Sequence, residues 1–189
     1  MGTMRIIAGD HRGRKLAQVE GDHIRPTADR IREALFNILG PFVRGSRVLD
    51  LFAGTGALGL EALSRGAEHA VFVDASQKSC AVVKENIQRC RLEDKTQVRH
   101  GKATDFPFTE NSFDLVFIDP PYHQGLVPPI LGNGNFVNCL SPHAIVIVEQ
   151  DAKEVELPSF KGLDIYRQKK YSRTLISFLT PNAVKGQTP

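Results

Sequence analysis

The sequence is poor in the features that mark secreted, metal-binding or membrane-spanning proteins. Its 189 residues hold three cysteines, Cys80, Cys90 and Cys139. The count is odd and the spacing unlike a metal site, which argues against a disulfide framework and predicts reduced core or helix residues of a cytoplasmic protein. Six histidines, at 11, 23, 69, 100, 123 and 143, show no ligand spacing either, so no metal is expected. No apolar run approaches the ~20 residues that cross a bilayer, and the N-terminus lacks a charged-then-apolar signal profile. Internal repeats and low-complexity blocks are absent. The net charge is only +3, too mild to imply a nucleic-acid partner. What is present, 41% hydrophobic and 24% charged residues, suits one globular domain able to bury a sizeable core.

The distribution of charge says more than its sum. Residues 1 to 47 carry nine Lys/Arg against five acids, a surplus of four, so the rest of the chain is slightly acidic. A basic N-terminal module beside a near-neutral body suits a surface that tracks phosphates. A solvated charged face has the same composition. Arg5, Arg12, Arg14, Lys15, Arg25, Arg30 and Arg32 are the candidate phosphate ligands, although Arg30 and Arg32, beside Asp29 and Glu33, also read as surface ion pairs worth little.

Residues 4–8 and the apolar positions after His11-Arg12-Gly13-Arg14-Lys15 predict a short hairpin turning near Gly9 and Gly13. Thr27 is placed to cap a helix over about 28–39, where Ile31, Ala34, Leu35 and Ile38 recur at helical spacing. From residue 47 strands and helices alternate: strands at 47–53, 69–74, 96–100, 113–119 and 144–150, and helices at 57–65, 76–91 and within 124–139, the last interrupted at 132–135. Two strands near 163–169 and 173–179 predict a terminal hairpin, followed by a polar, frayed tail from Pro181. Such alternation means an α/β fold with a mostly parallel sheet and helices on both faces. Ligands then bind beyond the carboxyl ends of the strands where strand order reverses. The chain divides into a basic hairpin and helix (1–45), a domain of alternating strands and helices (46–180) and a tail (181–189).

The first strand runs into Asp50-Leu51-Phe52-Ala53-Gly54-Thr55-Gly56-Ala57-Leu58-Gly59. Glycines after a buried strand allow a tight turn and close approach of a ligand to backbone, and the next helix offers its N-terminal N–H groups. Gly54, Gly56 and Gly59 satisfy G-x-G-x-x-G, with Asp74 about 20 residues on as a ribose acceptor. That much fits a nicotinamide or flavin dehydrogenase equally well. Asp50 separates the two readings. A carboxylate four residues before the first glycine repels a pyrophosphate but holds the cationic amino-acid end of S-adenosylmethionine.

The fourth strand ends in Asp119-Pro120-Pro121-Tyr122. Two prolines fix an extended turn, which presents the Asp119 carboxylate and the Pro120 carbonyl as convergent acceptors beside the flat Tyr122 ring. An exocyclic base amine has two donors and a stackable ring. Accepting both hydrogens returns electron density to nitrogen and aims its lone pair at a methyl donor. Alone, the tetrapeptide also reads as a proline-rich turn. After a glycine loop and an acid, at the end of strand four, it reads as chemistry.

These residues resemble the amino-methyltransferases with [D/N/S]-P-P-[Y/F/W]. More narrowly, MRIIAGDHRGRKL, RPTADRIREALFNIL, VLDLFAGTGALGLEALSRGA and FIDPPY are similar to the bacterial RsmD-type 16S rRNA guanine-N2 methyltransferases over residues 4 to 122, with a matching end at 171 to 178. The resemblance implies a Rossmann-like seven-stranded methyltransferase sheet whose last strand is antiparallel. It implies S-adenosylmethionine contacts from Asp50, Phe52, Ala53, Gly54, Thr55, Gly56, Asp74, Ala75 and Ala103. It further implies that Asp119 to Tyr122 hold the guanine amine, and that Arg5, Arg12, Arg14, Lys15, Arg25, Thr27 and Arg30 approach 16S rRNA or the assembling small subunit. A monomer without metal or membrane attachment is expected. One position departs from the pattern: Lys102-Ala103 stands where an acidic or amide side chain usually reads the adenine amine. Lysine cannot accept a hydrogen bond, which leaves that role to a backbone carbonyl, to Asp105 or to another mode of reading.

Within the same chemistry the alternatives are adenine-N6 or cytosine-N4 methylation, disfavoured by the absence of room for a DNA target-recognition segment, and glutamine-amide methylation, which prefers Asn at the first tetrapeptide position. An NAD-dependent oxidoreductase is disfavoured by Asp50, and a non-catalytic RNA-binding assembly factor by the intact tetrapeptide. His123 reads as a solvent-facing loop residue.

Overall fold

The computed structural model describes residues 4–19, 26–109, 112–154 and 157–182, and the side chains of these except 26–28. Seven strands form one sheet: β1 (Arg47–Leu51), β2 (His69–Asp74), β3 (Thr96–His100), β4 (Phe113–Ile118), β5 (Leu140–Asp151), β6 (Leu163–Tyr171) and β7 (Thr174–Pro181). Their order is β3-β2-β1-β4-β5-β7-β6. The first five pair in parallel, and β7 is antiparallel to both neighbours. The chain leaves β1 toward one edge and returns at β4 to build the other, so the order reverses between β1 and β4. Their carboxyl ends frame the crevice.

The helices are α1 (Pro26–Leu39), α2 (Ala57–Ser64), α3 (Gln77–Cys90), α4 (Val127–Leu131) and α5 (Gly134–Asn138). Alternate residues of the central strands feed two cores. Val48, Phe72, Leu115 and Phe117 pack with Leu35 and Phe36 of α1, Leu60 of α2 and Val83 of α3. Leu49, Leu51, Val116 and Ile118 pack with Ile130 of α4 and Phe136 of α5 on the opposite face. Each such fully buried side chain contributes ~1.5–3 kcal/mol. Parallel strands covered on both faces read as continuous apolar runs. β6, at the edge, is exposed along most of its length and carries Arg167, Lys169 and Lys170, which discourage further pairing. All three cysteines are free and buried, and no helix among the described residues is long and apolar enough to cross a membrane.

Several expectations shift. The N-terminal hairpin is reduced to one bridge, Arg5 to Lys15, with Ile6 N–H donating to the Arg14 carbonyl at 3.0 Å. α1 starts at Pro26, a residue preorganised for a first helical position, so Thr27 lies inside the first turn rather than at the cap. The 124–139 segment splits into α4 and α5 because Asn133 takes an extended conformation and caps α5, accepting the Asn135 N–H at 2.9 Å. β7 extends through Pro181, opposite Leu163, so ordered structure runs into the segment expected to fray. Arg25 and residues 183–189 of the tail lie outside the described residues.

Candidate active site

β1 stops at Leu51 because Phe52 turns the chain with φ +63°. A bulky residue in that region stores backbone strain beside a ligand site. Carboxylates hold the loop that follows. Asp74, ending β2, accepts the Gly54 N–H through Oδ2 and the Ser76 N–H through Oδ1, each at 2.8 Å. Asp50 is 1% exposed, and its Oδ2 accepts the Gly59 N–H at 3.0 Å. Gly54 has φ +57°, and a Cβ there would meet nothing nearer than the Phe52 carbonyl at 4.0 Å, so its bare backbone opens toward a ligand. Gly59 serves packing: a Cβ there would lie 2.4 Å from the Phe72 ring, between α2 and β2.

This loop and the end of β4 share a cavity of about 250 Å³ whose wall includes Asp50, Phe52, Gly54, Thr55, Asp119 and Glu149. Three carboxylates in one small cavity depress each other's ionisation. Burial pushes the Asp50 carboxyl up to about 7 against the opposing Gly59 N–H, with nearby Asp74 adding to the rise. Asp119 is raised well above the usual carboxylate range by burial first, then by Glu149 and Asp50. Such a wall is complementary to a cation, and the open backbone at Gly54 lets a nucleoside approach. The residues present therefore fit S-adenosylmethionine.

The tetrapeptide divides two spaces. Asp119 faces the smaller cavity, whereas Pro120 and Pro121 line a second one of about 430 Å³ with Leu126, Gln150, Lys153 and Leu157. The Tyr122 hydroxyl donates to Glu149 Oε1 at 2.7 Å, which fixes the ring, and burial foremost raises its pKa. His123 has φ +62° and an exposed side chain 3.6 Å from both Asp151 and Glu154 carboxylates.

The N-terminal segment is fastened to the body by buried polar residues, among them Ser64 of α2, whose hydroxyl accepts the His11 N–H at 3.0 Å and donates to the Ala8 carbonyl. Glu61 of α2, fully buried, accepts the Ile7 and Ala8 N–H groups at 2.7 and 3.0 Å and pairs with Arg65 Nε at 2.8 Å. Asn86 of α3 is equally buried; it accepts the Ala17 N–H at 2.6 Å and donates to the Ala17 and Thr55 carbonyls at 3.1 and 2.9 Å. Asn86 thus ties the N-terminal segment to the glycine loop. Arg5, Arg12 and Arg30 meet around a polar cavity of about 440 Å³. Arg14 is exposed and donates to the Arg89 carbonyl, and Lys15 is exposed beside it.

Of the residues singled out from sequence, Asp50, Phe52, Ala53, Gly54, Thr55 and Asp119 share the smaller cavity. Gly56, Asp74, Ala75 and Ala103 are not in its wall. Ala103 is 5% exposed and packs under the sheet, and the exposed Asp105 accepts the Thr104 hydroxyl at 3.0 Å. Arg32 corrects the surface reading: it is 5% exposed and belongs to the cavity wall. Sequence reasoning missed that role, although Arg32 falls in helical line with the buried Phe36 and Leu39. It also missed Glu149, whose signal was an acid near the end of a buried strand adjacent to β4. Glu61 and Asn86 carried no signal beyond polar residues on helices.

Known proteins place this geometry. Residues 4–180 match the model of the family described as conserved hypothetical protein 95. The ribosomal RNA small subunit methyltransferase D of Haemophilus influenzae (strain Rd) is 40% identical over 79% of this chain and 80% of its own length. YlbH of Bacillus subtilis, named as a candidate rRNA methyltransferase, is 39% identical over 90% of this chain and 95% of its own. A solved Escherichia coli structure, named as a candidate methyltransferase, superposes with a TM-score of 0.78 at 32% identity, covering 96% of this chain and 99% of that one. The chain belongs to the conserved hypothetical protein 95 family, the RsmD family of small-subunit rRNA methyltransferases.

Proposed function

We propose that this protein transfers a methyl group from S-adenosylmethionine to the exocyclic N2 amine of a guanine in 16S rRNA. One observation carries the reading: Asp119 of the tetrapeptide stands in the same anionic cavity as Asp50 and the glycine loop. Methyl donor and amine acceptor are thereby given one meeting place. The relatives named for small-subunit rRNA methylation supply the substrate class.

Asp50 holds the ammonium of the cofactor, Asp74 the ribose hydroxyls through the lone pairs its two N–H partners leave free, and Gly54 the close approach of the nucleoside. When bound, the sulfonium supplies the methyl and the driving force. A base inside a helix cannot present its amine in line, so the guanine is unstacked into the space beside Pro120 and Pro121, against the Tyr122 ring. Asp119 accepts one amine hydrogen and the Pro120 carbonyl the other. Once nitrogen has taken the methyl it must lose a proton, and the Asp119 carboxylate, made more basic by burial and by Glu149, receives it. The exposed Arg5, Arg12, Arg14, Lys15 and Arg30 grip phosphates beside the site.

The test is to incubate the protein with labelled cofactor and small-subunit rRNA, naked and in the ribonucleoprotein particle, and to digest the product to nucleosides. N2-methylguanosine is expected. Label appearing only in N6-methyladenosine or N4-methylcytidine would overturn the guanine assignment, and no label in any nucleoside would overturn the methyl-transfer reading.

A further inference from the structure

Arg32 is a buried charge that the chemistry above leaves unused. Its Nη2 donates to the Arg5 carbonyl at 2.7 Å and to Asp29 Oδ1 at 3.0 Å. Its Nε is buried without a hydrogen-bond partner. An unpaired buried N–H of a charged group is costly, which makes it a standing demand for an acceptor. Burial also works against the guanidinium's charge, with Asp29 and Glu61 opposing that loss.

The same side chain lines the small cavity, where it is the one cation among the described residues of a wall holding Asp50, Asp119 and Glu149. An α-amino-acid headgroup brings two opposite charges into that wall. Asp50 answers the ammonium. No carboxylate can answer the carboxylate, and Arg32 alone offers a charged donor with a free N–H. We propose that Arg32 binds the α-carboxylate of the cofactor's amino-acid end through its unpaired Nε–H, while Nη2 keeps its bonds to the Arg5 carbonyl and Asp29. A charge-assisted hydrogen bond of this kind is among the stronger ones a protein makes. The assignment rests on the cavity being the S-adenosylmethionine site.

Calorimetry with S-adenosylmethionine and its decarboxylated analogue, which keeps the adenosine, the sulfonium and the amine, isolates the carboxylate. The wild-type chain is expected to bind the decarboxylated analogue ~10- to 100-fold more weakly. Arg32→Met should weaken S-adenosylmethionine by a similar factor and leave the analogue's affinity unchanged, with Arg32→Lys between. Equal weakening of both ligands in Arg32→Met would reduce Arg32 to a packing role and overturn the proposal. Should that variant fail to fold, ¹⁵N-arginine-labelled wild-type protein decides. A buried Nε–H resonance should move with S-adenosylmethionine and not with the analogue, and its indifference to both overturns the assignment. Equal wild-type affinity for the two ligands removes only the carboxylate contact, whereas no binding of either removes the cofactor reading itself.

Discussion

The cavity at the ends of β1 and β4 and the N-terminal face beside it carry opposite charges, and the chain builds them by opposite means. The cavity concentrates Asp50, Asp119 and Glu149 in about 250 Å³, where burial and mutual repulsion hold Asp50 and Asp119 back from ionising until a cation enters. The face spreads Arg5, Arg12, Arg14, Lys15 and Arg30 over exposed positions, where water screens them. Buried charge gives a site selectivity for a small cation and a strong dependence on pH. Exposed charge gives reach toward a polyanion and a strong dependence on salt. Between the two, Glu61 and Asn86 bind backbone of the basic segment to the helices that follow the glycine loop, so each region's position depends on the other's.

The comparison can be broken first at its joint. Glu61→Ala leaves the Ile7 and Ala8 N–H groups and Arg65 without their acceptor, and should cost ~3–5 kcal/mol of stability in urea unfolding. A loss below ~1 kcal/mol would mean that Glu61 does not hold the segment and that its seating comes from other contacts, such as Asn86, Ile6 and Leu16. On the cavity side, Asp74→Ala should weaken S-adenosylmethionine by ~1.5–3 kcal/mol, through lost ribose hydrogen bonds and an untied Gly54. NAD should not bind comparably in wild type, and equal calorimetric affinities would remove the distinction drawn from Asp50.

A third prediction concerns protons. Asp50 goes from 3.8 unfolded to about 7 folded, so between those values the folded state binds more protons. The ligand-free protein should accordingly lose stability as pH rises through that window. A bound ammonium favours the ionised carboxylate, so binding near pH 6 should release a proton, and affinity should fall by up to ~tenfold per pH unit below 7. Calorimetry in buffers of different ionisation enthalpy reads that proton directly, and none released would place the cation elsewhere. The smallest effect belongs to the basic face. Replacing Arg12, Arg14 and Lys15 together should flatten the salt dependence of RNA binding by up to ~0.7–0.9 in slope per lost phosphate contact, while cofactor affinity stays within twofold. An unchanged slope would return the cluster to a solvated surface.

Sequence patterning made the sheet legible because its central strands are buried on both faces and so read as unbroken apolar runs. The motif residues followed from topology, since parallel strands deliver Asp50, Asp74 and Asp119 to one edge of the sheet. What stayed hidden was long-range and polar. Arg32 and Glu149 reach the cavity from α1 and β5, more than a hundred residues apart, and no local period announces such a meeting. Glu61 and Asn86 look like ordinary helix surface until the N-terminal segment covers them. Helical spacing at Ile31, Ala34, Leu35 and Ile38 described one stripe of α1, but burial of Phe36 and Leu39 widens it and carries Arg32 inside.

The most direct test of the whole account is single-turnover methyl transfer at saturating rRNA and cofactor, compared between wild type, Asp119→Ala and the Arg12/Arg14/Lys15 triple variant. Asp119→Ala should lose ~10²–10³ in rate, about 3–4 kcal/mol of transition-state stabilisation, while still binding cofactor. The triple variant, once RNA saturates, should transfer at the wild-type rate. Transfer at the wild-type rate by Asp119→Ala would show the tetrapeptide to be a structural turn and contradict the chemistry assigned to the cavity.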